Sequence, residues 1–167
     1  HLYAPHAPYR MDAEFQDIGN KPLKREWFLL QTKGVLNVLG DLIEQLEELG
    51  ILEKSLVVIV SDHGEGEYNV GLNLDLSLPD RTKTRNDTKQ SLVRGGIPLM
   101  MVKRPQDSGD IQYSDAPVQL TDVPATVYDW TGVSNPTQGR SVFSIGPEEK
   151  RKRTHRYYRF SGWNIDY

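Results

Sequence analysis

The clearest pattern along the chain is a stripe of apolar residues between positions 25 and 49. Apolar side chains recur at alternating intervals of four and three residues, and glutamates occupy the opposite face. This spacing predicts one amphipathic helix with a single buried face. The stripe consists of Val35, Leu39, Leu42, Leu46 and Leu49.

Glycines indicate where this helix ends and where it is weak. Gly50 follows the last residue of the stripe and predicts a C-terminal stop. Gly34 and Gly40 lie inside the helix, and each lowers its stability by about 1 kcal/mol relative to alanine. We therefore expect a break or bend near Gly34.

Two short apolar runs predict strands. Residues 56–60 are continuously apolar and mostly β-branched, and residues 97–102 form a second run that follows Gly95 and Gly96. Strands that are apolar on both faces are typical of parallel sheets with helices on each side. The two runs therefore predict buried strands.

The remaining segments complete the predicted architecture. Residues 1–23 are rich in proline and aperiodic, which predicts a loop, and the polar residues 66–88 predict a functional or mobile loop. The segment 120–133 predicts a short helix with Asp122 as its N-cap and Gly132 as its stop. Residues 154–163 alternate aromatic and basic side chains, which predicts a further strand.

This order of elements indicates an α/β fold with a mixed sheet flanked by helices. The length of 167 residues is that of one domain, so residues 1–167 are expected to form a single domain.

Composition and charge exclude several classes of function. The net charge of −3 gives no reason to expect nucleic acid or an anionic membrane as a partner. The basic run at 150–153 is interpreted as a solvated loop rather than a binding patch. The chain has no cysteine, which excludes disulfides, thiolate metal sites and a cysteine nucleophile within it. No apolar run approaches the roughly 20 residues of a membrane-spanning helix, so we expect no membrane segment in this chain.

Two adjacent residues with metal-binding chemistry follow the first predicted strand. Asp62 and His63 come directly after the apolar run, and ligands of open α/β sheets lie beyond the carboxyl ends of strands. A carboxylate oxygen and an imidazole nitrogen together suit a metal of the Mn, Zn or Fe type. Taken alone, the pair is better explained by a turn that Asp62 caps and a half-exposed His63.

Two further residues have the chemistry to bind an anion. His6 lies in the proline-flanked "HAPY" loop, and Lys89 precedes the two glycines before the second strand. A lysine ammonium suits an anionic ester oxygen, and an imidazole can bind the same oxygens or protonate a leaving group. Taken singly, each is better explained as an ordinary loop or surface residue.

Taken together, these segments resemble the C-terminal part of the sulfatase family, within the alkaline-phosphatase-like superfamily. The resemblance covers roughly residues 1–145, and its motifs occur in the family's order. They are the H-x-P-Y loop at 6–9, "LEELGILEKSLVVIVSDHGE" at 46–65, K-x-S-x-x-x-G-G at 89–96, "VQLTDVPATVYDWTGV" at 118–133 and "GRSV" at 139–142.

The resemblance implies a partial alkaline-phosphatase-like layered fold and a specific site. Asp62 and His63 are expected to ligate a divalent cation, and His6 and Lys89 to contact the sulfate or phosphate group of a small-molecule or glycan ester. A histidine at position 63 favours Mn or Zn over Ca. The family resemblance alone also implies a location outside the cytoplasm.

The resemblance further implies that part of the site lies elsewhere. The family's nucleophile, a formylglycine or else a threonine or serine, belongs to an N-terminal segment, together with further acidic metal ligands. The opening "HLYAPHAPY" is typical of the middle of a longer protein. We therefore expect the nucleophile outside this chain, and the isolated chain to be inactive.

Two alternatives remain open. The parent protein could be a phosphoglycerol or phosphoethanolamine transferase of the same superfamily, with threonine as the nucleophile. The chain could also be a non-catalytic α/β module that binds a partner through residues 66–88 or through its aromatic and basic tail.

Overall fold

The structure is a computed structural model that describes residues 4–64 and 95–152. The described residues belong to two compact units. The first unit holds residues 4–59 and 100–110, and the second holds residues 60–64, 95–99 and 111–152. The loop predicted at 66–88 and the strand predicted at 154–163 lie outside the described residues.

The first unit begins with a β-hairpin. β1 (Tyr9–Met11) pairs antiparallel with β2 (Asp17–Lys21), and the register is irregular within β1. The Asp12 carboxylate accepts the backbone N–H groups of Glu14 (3.0 Å) and Gln16 (2.8 Å), which closes the connection between the strands. The prediction of a loop is therefore wrong over these residues, because the strands are short and β2 is too polar to show alternation.

α1 (Arg25–Glu48) follows the hairpin as one continuous helix of 24 residues. Its C-terminus has the two hydrogen bonds of a Schellman motif. The N–H of Gly50 donates to the carbonyl of Glu47 (2.8 Å), and the N–H of Ile51 donates to the carbonyl of Leu46 (2.9 Å). Gly50 has a φ of 65°, a left-handed conformation that favours glycine. The predicted stop is confirmed.

The helix does not break at Gly34, contrary to the expectation. A Cβ atom at this position would lie 2.3 Å from the backbone carbonyl oxygen of Asp12. The missing side chain therefore lets the hairpin connection lie directly against the helix. Close packing between the two elements explains why a residue of low helix propensity occupies this position.

The core of the first unit lies between α1 and the hairpin. Tyr9 and Val35 are buried, and the ring of Tyr9 meets Phe28 edge-on with the centroids 6.2 Å apart. The C-terminal half of the predicted stripe is less covered, because Leu42 and Leu49 remain 48% and 71% exposed. The single buried face predicted for the helix is thus correct only for its N-terminal half.

A second pair of strands follows the helix in the chain. β3 (Val57–Val60) and β4 (Met100–Lys103) form a two-stranded antiparallel sheet. β3 confirms the first predicted strand, whereas β4 is shorter than predicted because Ile97 and Leu99 lie outside it and are about half exposed. Most residues of both strands are half-buried, so the expected burial on both faces is not observed.

The second unit is built around α2 (Asp122–Thr131). The helix ends at Gly132, which has a φ of 68° and confirms the predicted stop. Its N-cap residue is Thr121, so the prediction that Asp122 caps the helix is wrong. Asp122 is instead the first helical residue, and its side chain is fully buried.

The buried carboxylate of Asp122 collects four hydrogen bonds. It accepts the backbone N–H groups of Gln119 (2.9 Å) and Arg140 (3.0 Å), and both terminal nitrogens of the Arg151 guanidinium (2.5 and 2.9 Å). Burial raises the pKa of Asp122, but these bonds outweigh it and hold the pKa below its ordinary value. Arg151 is only 14% exposed, so the interpretation of residues 150–153 as solvated is wrong for this residue.

The segment that follows α2 packs back onto the start of that helix. The hydroxyl of the buried Thr126 accepts the backbone N–H of Val142 (3.0 Å). A Cβ atom at Gly139 would clash with the carbonyl of Thr121, so glycine allows the close approach. The side chain of Ile145 is buried in the same unit. Residues 139–151 are therefore an integral part of the second unit.

Helices and short antiparallel strand pairs together confirm the predicted α/β class. Across residues 4–64 and 95–152, no helix combines the length and apolar character that crossing a membrane requires.

Candidate active site

Asp62 and His63 lie in the second unit, directly after the last residue of β3. The flanking residues Ser61 and Gly64 each donate their backbone N–H to a carbonyl of the segment 95–99, at 3.1 and 2.8 Å. The side chains of the pair remain exposed, 85% for Asp62 and 65% for His63. An anchored backbone thus presents two accessible polar side chains.

The hydrogen bonds of His63 determine its ring tautomer. Its Nδ1 lies 2.7 Å from the carbonyl oxygen of Gly64, and because a carbonyl can only accept, Nδ1 carries the proton. In the neutral ring, Nε2 then keeps the lone pair that a metal requires. The backbone N–H of His63 also donates to Oδ1 of Asp62 (3.0 Å), which orients the neighbouring carboxylate.

The distance between the two candidate ligand atoms fits a shared metal ion. Nε2 of His63 and Oδ1 of Asp62 are 3.9 Å apart. Zinc-type metals form bonds of about 2.0–2.2 Å to nitrogen and oxygen, so donors of a tetrahedral site lie about 3.4 Å apart, and the pair would move closer by about half an ångström to share one ion. A hydrogen bond from the other ring nitrogen to a backbone carbonyl is also how metal-binding histidines are commonly oriented.

Two side chains alone would supply only part of a coordination shell. Metal sites of this type usually take three or more protein ligands. Within the part of the chain that the structure describes, no group of three or more His, Cys, Asp or Glu side chains could hold a metal ion. A metal site that included Asp62 and His63 would therefore need at least one further ligand.

His6 lies in the first unit, in the loop that precedes β1. Its side chain is exposed, and its Nδ1 lies 2.5 Å from the carbonyl oxygen of Ala7. By the same reasoning as for His63, Nδ1 carries the proton. The histidine lies between Pro5 and Pro8, and the peptide bonds that precede both prolines are cis.

Gln31 of α1 holds this loop, and the sequence analysis missed it. The side chain is only 2% exposed. Its Oε1 accepts the backbone N–H groups of Arg10 (2.8 Å) and Met11 (2.9 Å), and its Nε2 donates to the carbonyl of His6 (3.0 Å). The available signal was a polar amide one helical turn before Val35, in line with the apolar stripe.

Lys89, the fourth predicted site residue, lies outside the described residues. The structure brings Asp62 and His63 together in the second unit and places His6 in the first. The assignment of these four residues to metal and anion binding remains a prediction.

The comparison with protein families gives one result that bears on this geometry. Residues 1–133 match the model of the sulfatase family, a range that includes the His6 loop, β3, the Asp62–His63 pair and α2. The chain therefore belongs to the sulfatase family. Searches among curated proteins and among solved structures found no match.

Membership gives the general class of activity. Sulfatases are hydrolases that act on sulfate esters, and they generally use a divalent metal ion. The predicted family is thus confirmed. Membership in it indicates, in general terms, an enzyme that hydrolyses sulfate esters.

Proposed function

We propose that this chain is the C-terminal portion of a metal-dependent hydrolase that cleaves sulfate or phosphate esters of small molecules or glycans. The observation that carries the proposal is the Asp62–His63 pair, whose ligand atoms lie 3.9 Å apart on an anchored backbone. Family membership supports a sulfate ester as the substrate class.

Asp62 and His63 hold the divalent ion in this proposal. A bound ion supplies Lewis-acid polarisation of the ester oxygens. The chain's own contribution is orientation, because the bond from Nδ1 of His63 to Gly64 keeps Nε2 available as a ligand. The exposure of both side chains leaves room for a substrate beside them.

His6 and Lys89 bind the anionic group of the ester. Lysine supplies a compact positive charge. The imidazole of His6 engages the Ala7 carbonyl through Nδ1, and in this proposal Nε2 meets an ester oxygen, as a donor when the ring is protonated. Both groups stabilise negative charge that develops on the transferring group and the leaving oxygen. The nucleophile, a formylglycine by analogy with the family, comes from outside this chain.

The experiment that tests the proposal compares variants of the parent protein expressed from its complete reading frame. We expect Asp62→Ala to lower kcat/KM for p-nitrophenyl sulfate or p-nitrophenyl phosphate by at least about a hundredfold, because metal polarisation contributes several kcal/mol to transition-state stability. Asp115→Ala removes an exposed carboxylate elsewhere in the second unit, and this control should retain activity.

Equal activity of Asp62→Ala and the unmodified protein would overturn the proposal. Turnover of the phosphate ester alone would assign the enzyme to phosphorus chemistry. Transfer of the group to an alcohol acceptor rather than to water would favour the transferase alternative.

A further inference from the structure

We propose that Gln31 is the positioning residue for His6. From the interior of the first unit it holds the backbone of the loop so that the imidazole meets the sulfate or phosphate of the substrate. The inference rests on the anion-binding role proposed for His6. Gln31 does not touch the substrate itself, because it is 2% exposed.

One side-chain amide connects α1 to both ends of the loop. The Nε2 of Gln31 donates to the carbonyl of His6 (3.0 Å), and its Oε1 accepts the N–H groups of Arg10 (2.8 Å) and Met11 (2.9 Å). The backbone is thus fixed at residue 6 and again four and five residues later. The imidazole projects from the first of these fixed points.

The contacts require an amide at this position. The part-buried carbonyl of His6 needs a donor and the two N–H groups need an acceptor, and the neutral amide of Gln offers both on two separate atoms. A carboxylate would place an oxygen against the carbonyl of His6. A thioether of similar size would remove the partner of three part-buried backbone groups, which costs stability.

The backbone shape of β1 agrees with this role. Successive N–H groups of a regular strand point to opposite sides, yet the N–H groups of Arg10 and Met11 both point to the same oxygen of Gln31. The register between β1 and β2 is irregular at this place, between Tyr9 and Met11. Gln31 therefore stabilises a local distortion that a regular hairpin would not have.

A neighbouring contact of the same helix offers a matched control. The Nδ2 of Asn37 donates to the carbonyl of Ala13 (2.7 Å). This bond also joins α1 to the hairpin, but at the connection between the strands rather than at His6. Asn37→Ala removes a helix–hairpin contact without touching the loop that Gln31 holds.

The test follows the ring of His6 by NMR in the isotopically labelled full chain while inorganic sulfate is added. His6→Ala identifies its signals among the four histidines. We expect Gln31→Glu and Gln31→Met to weaken the sulfate Kd at His6 by about tenfold, the size of effect typical of residues that orient a binding group. Asn37→Ala should leave this Kd unchanged. A merely structural role would lower Tm without changing the Kd of the folded molecules.

The outcomes separate the inference from the proposed function. If wild-type His6 responds to sulfate and both Gln31 variants bind equally well, the positioning role is overturned while the anion role stands. If wild-type His6 does not respond, the anion role fails and the inference fails with it. If both variants unfold, amide exchange in the wild type decides: protection of Arg10 and Met11 supports the contact, and exchange at unfolded-chain rates overturns it.

Discussion

At the scale of single residues, the ion pair of Asp122 and Arg151 is the most deeply buried among the described residues, with side chains 0% and 14% exposed. Exposed ion pairs contribute little to stability, whereas removal of one partner of a buried pair leaves an uncompensated charge in the interior. We therefore expect that replacing one partner of this pair lowers the stability of the protein strongly.

We expect Arg151→Ala to lower the free energy of unfolding by about 3–5 kcal/mol, because it leaves the buried Asp122 carboxylate without a counter-charge. Lys152→Ala changes the exposed neighbour and should cost less than about 0.5 kcal/mol. Urea unfolding of both variants and the wild type measures the difference. Equal stability of the two variants would show that the pair contributes nothing.

The same carboxylate predicts how stability depends on pH. The pKa of Asp122 is lower in the folded protein than its ordinary value of 3.8, so the folded state binds fewer protons and stability rises with pH in this range. The contribution is complete above the ordinary pKa and is lost as the pH falls through the folded one. Urea unfolding from about pH 7 to about pH 3 should therefore show that the free energy of unfolding falls more steeply in the wild type than in Asp122→Asn.

Asp107 provides a control for this pH dependence. A hydrogen bond from Arg104 also lowers the pKa of Asp107, but that pair is about half exposed and solvent screens it. Asp107→Asn should leave the pH dependence of the free energy of unfolding nearly unchanged. If it flattened the profile as much as Asp122→Asn, burial would not be the source of the effect.

At the scale of elements, the packing of α1 against the hairpin can be tested with its two interior glycines. Gly34→Ala should destabilise the chain by about 1–3 kcal/mol, because the new Cβ would lie 2.3 Å from the Asp12 carbonyl. Gly40 has no atom within 4 Å of an added Cβ, so Gly40→Ala should stabilise by about 1 kcal/mol through helix propensity. Thermal or urea unfolding distinguishes the two, and stabilisation by both would disprove close packing at Gly34.

The C-terminal ends of the helices could be predicted from the sequence because they depend on local chemistry. Gly50 and Gly132 take the left-handed conformations that end α1 and α2. The hairpin could not be predicted, because its connection depends on the Asp12 carboxylate and its strands lack alternation. Asp122 was misassigned for a related reason: its partner Arg151 lies 29 residues away, and no local pattern connects the two.

The same division applies to the candidate site. The adjacency of Asp62 and His63 and their place after a strand could be predicted from the chain alone. The tautomer of His63 could not, because it depends on where the Gly64 carbonyl points. Gln31 was missed since its role arises from three backbone groups that only the folded hairpin brings within its reach.

At the scale of the whole molecule, the proposed metal site has two candidate ligands among the described residues, Asp62 and His63. We therefore expect Mn²⁺ to bind the isolated chain weakly or without specificity in calorimetry, because such sites usually take three or more protein ligands. A tight, stoichiometric site that disappears in Asp62→Ala would contradict this expectation.

The ion pair of Asp122 and Arg151 shows that the family match and the packed second unit end at different residues. The region of family similarity ends at residue 133, whereas the cation that neutralises Asp122 is contributed by residue 151. A chain cut at the similarity limit would keep α2 and lose the counter-charge, the buried Ile145 and the hydrogen bond to Thr126. The packed unit therefore extends at least 18 residues past the end of the family match, the difference between positions 133 and 151. Any fragment meant to fold should be cut beyond Arg151.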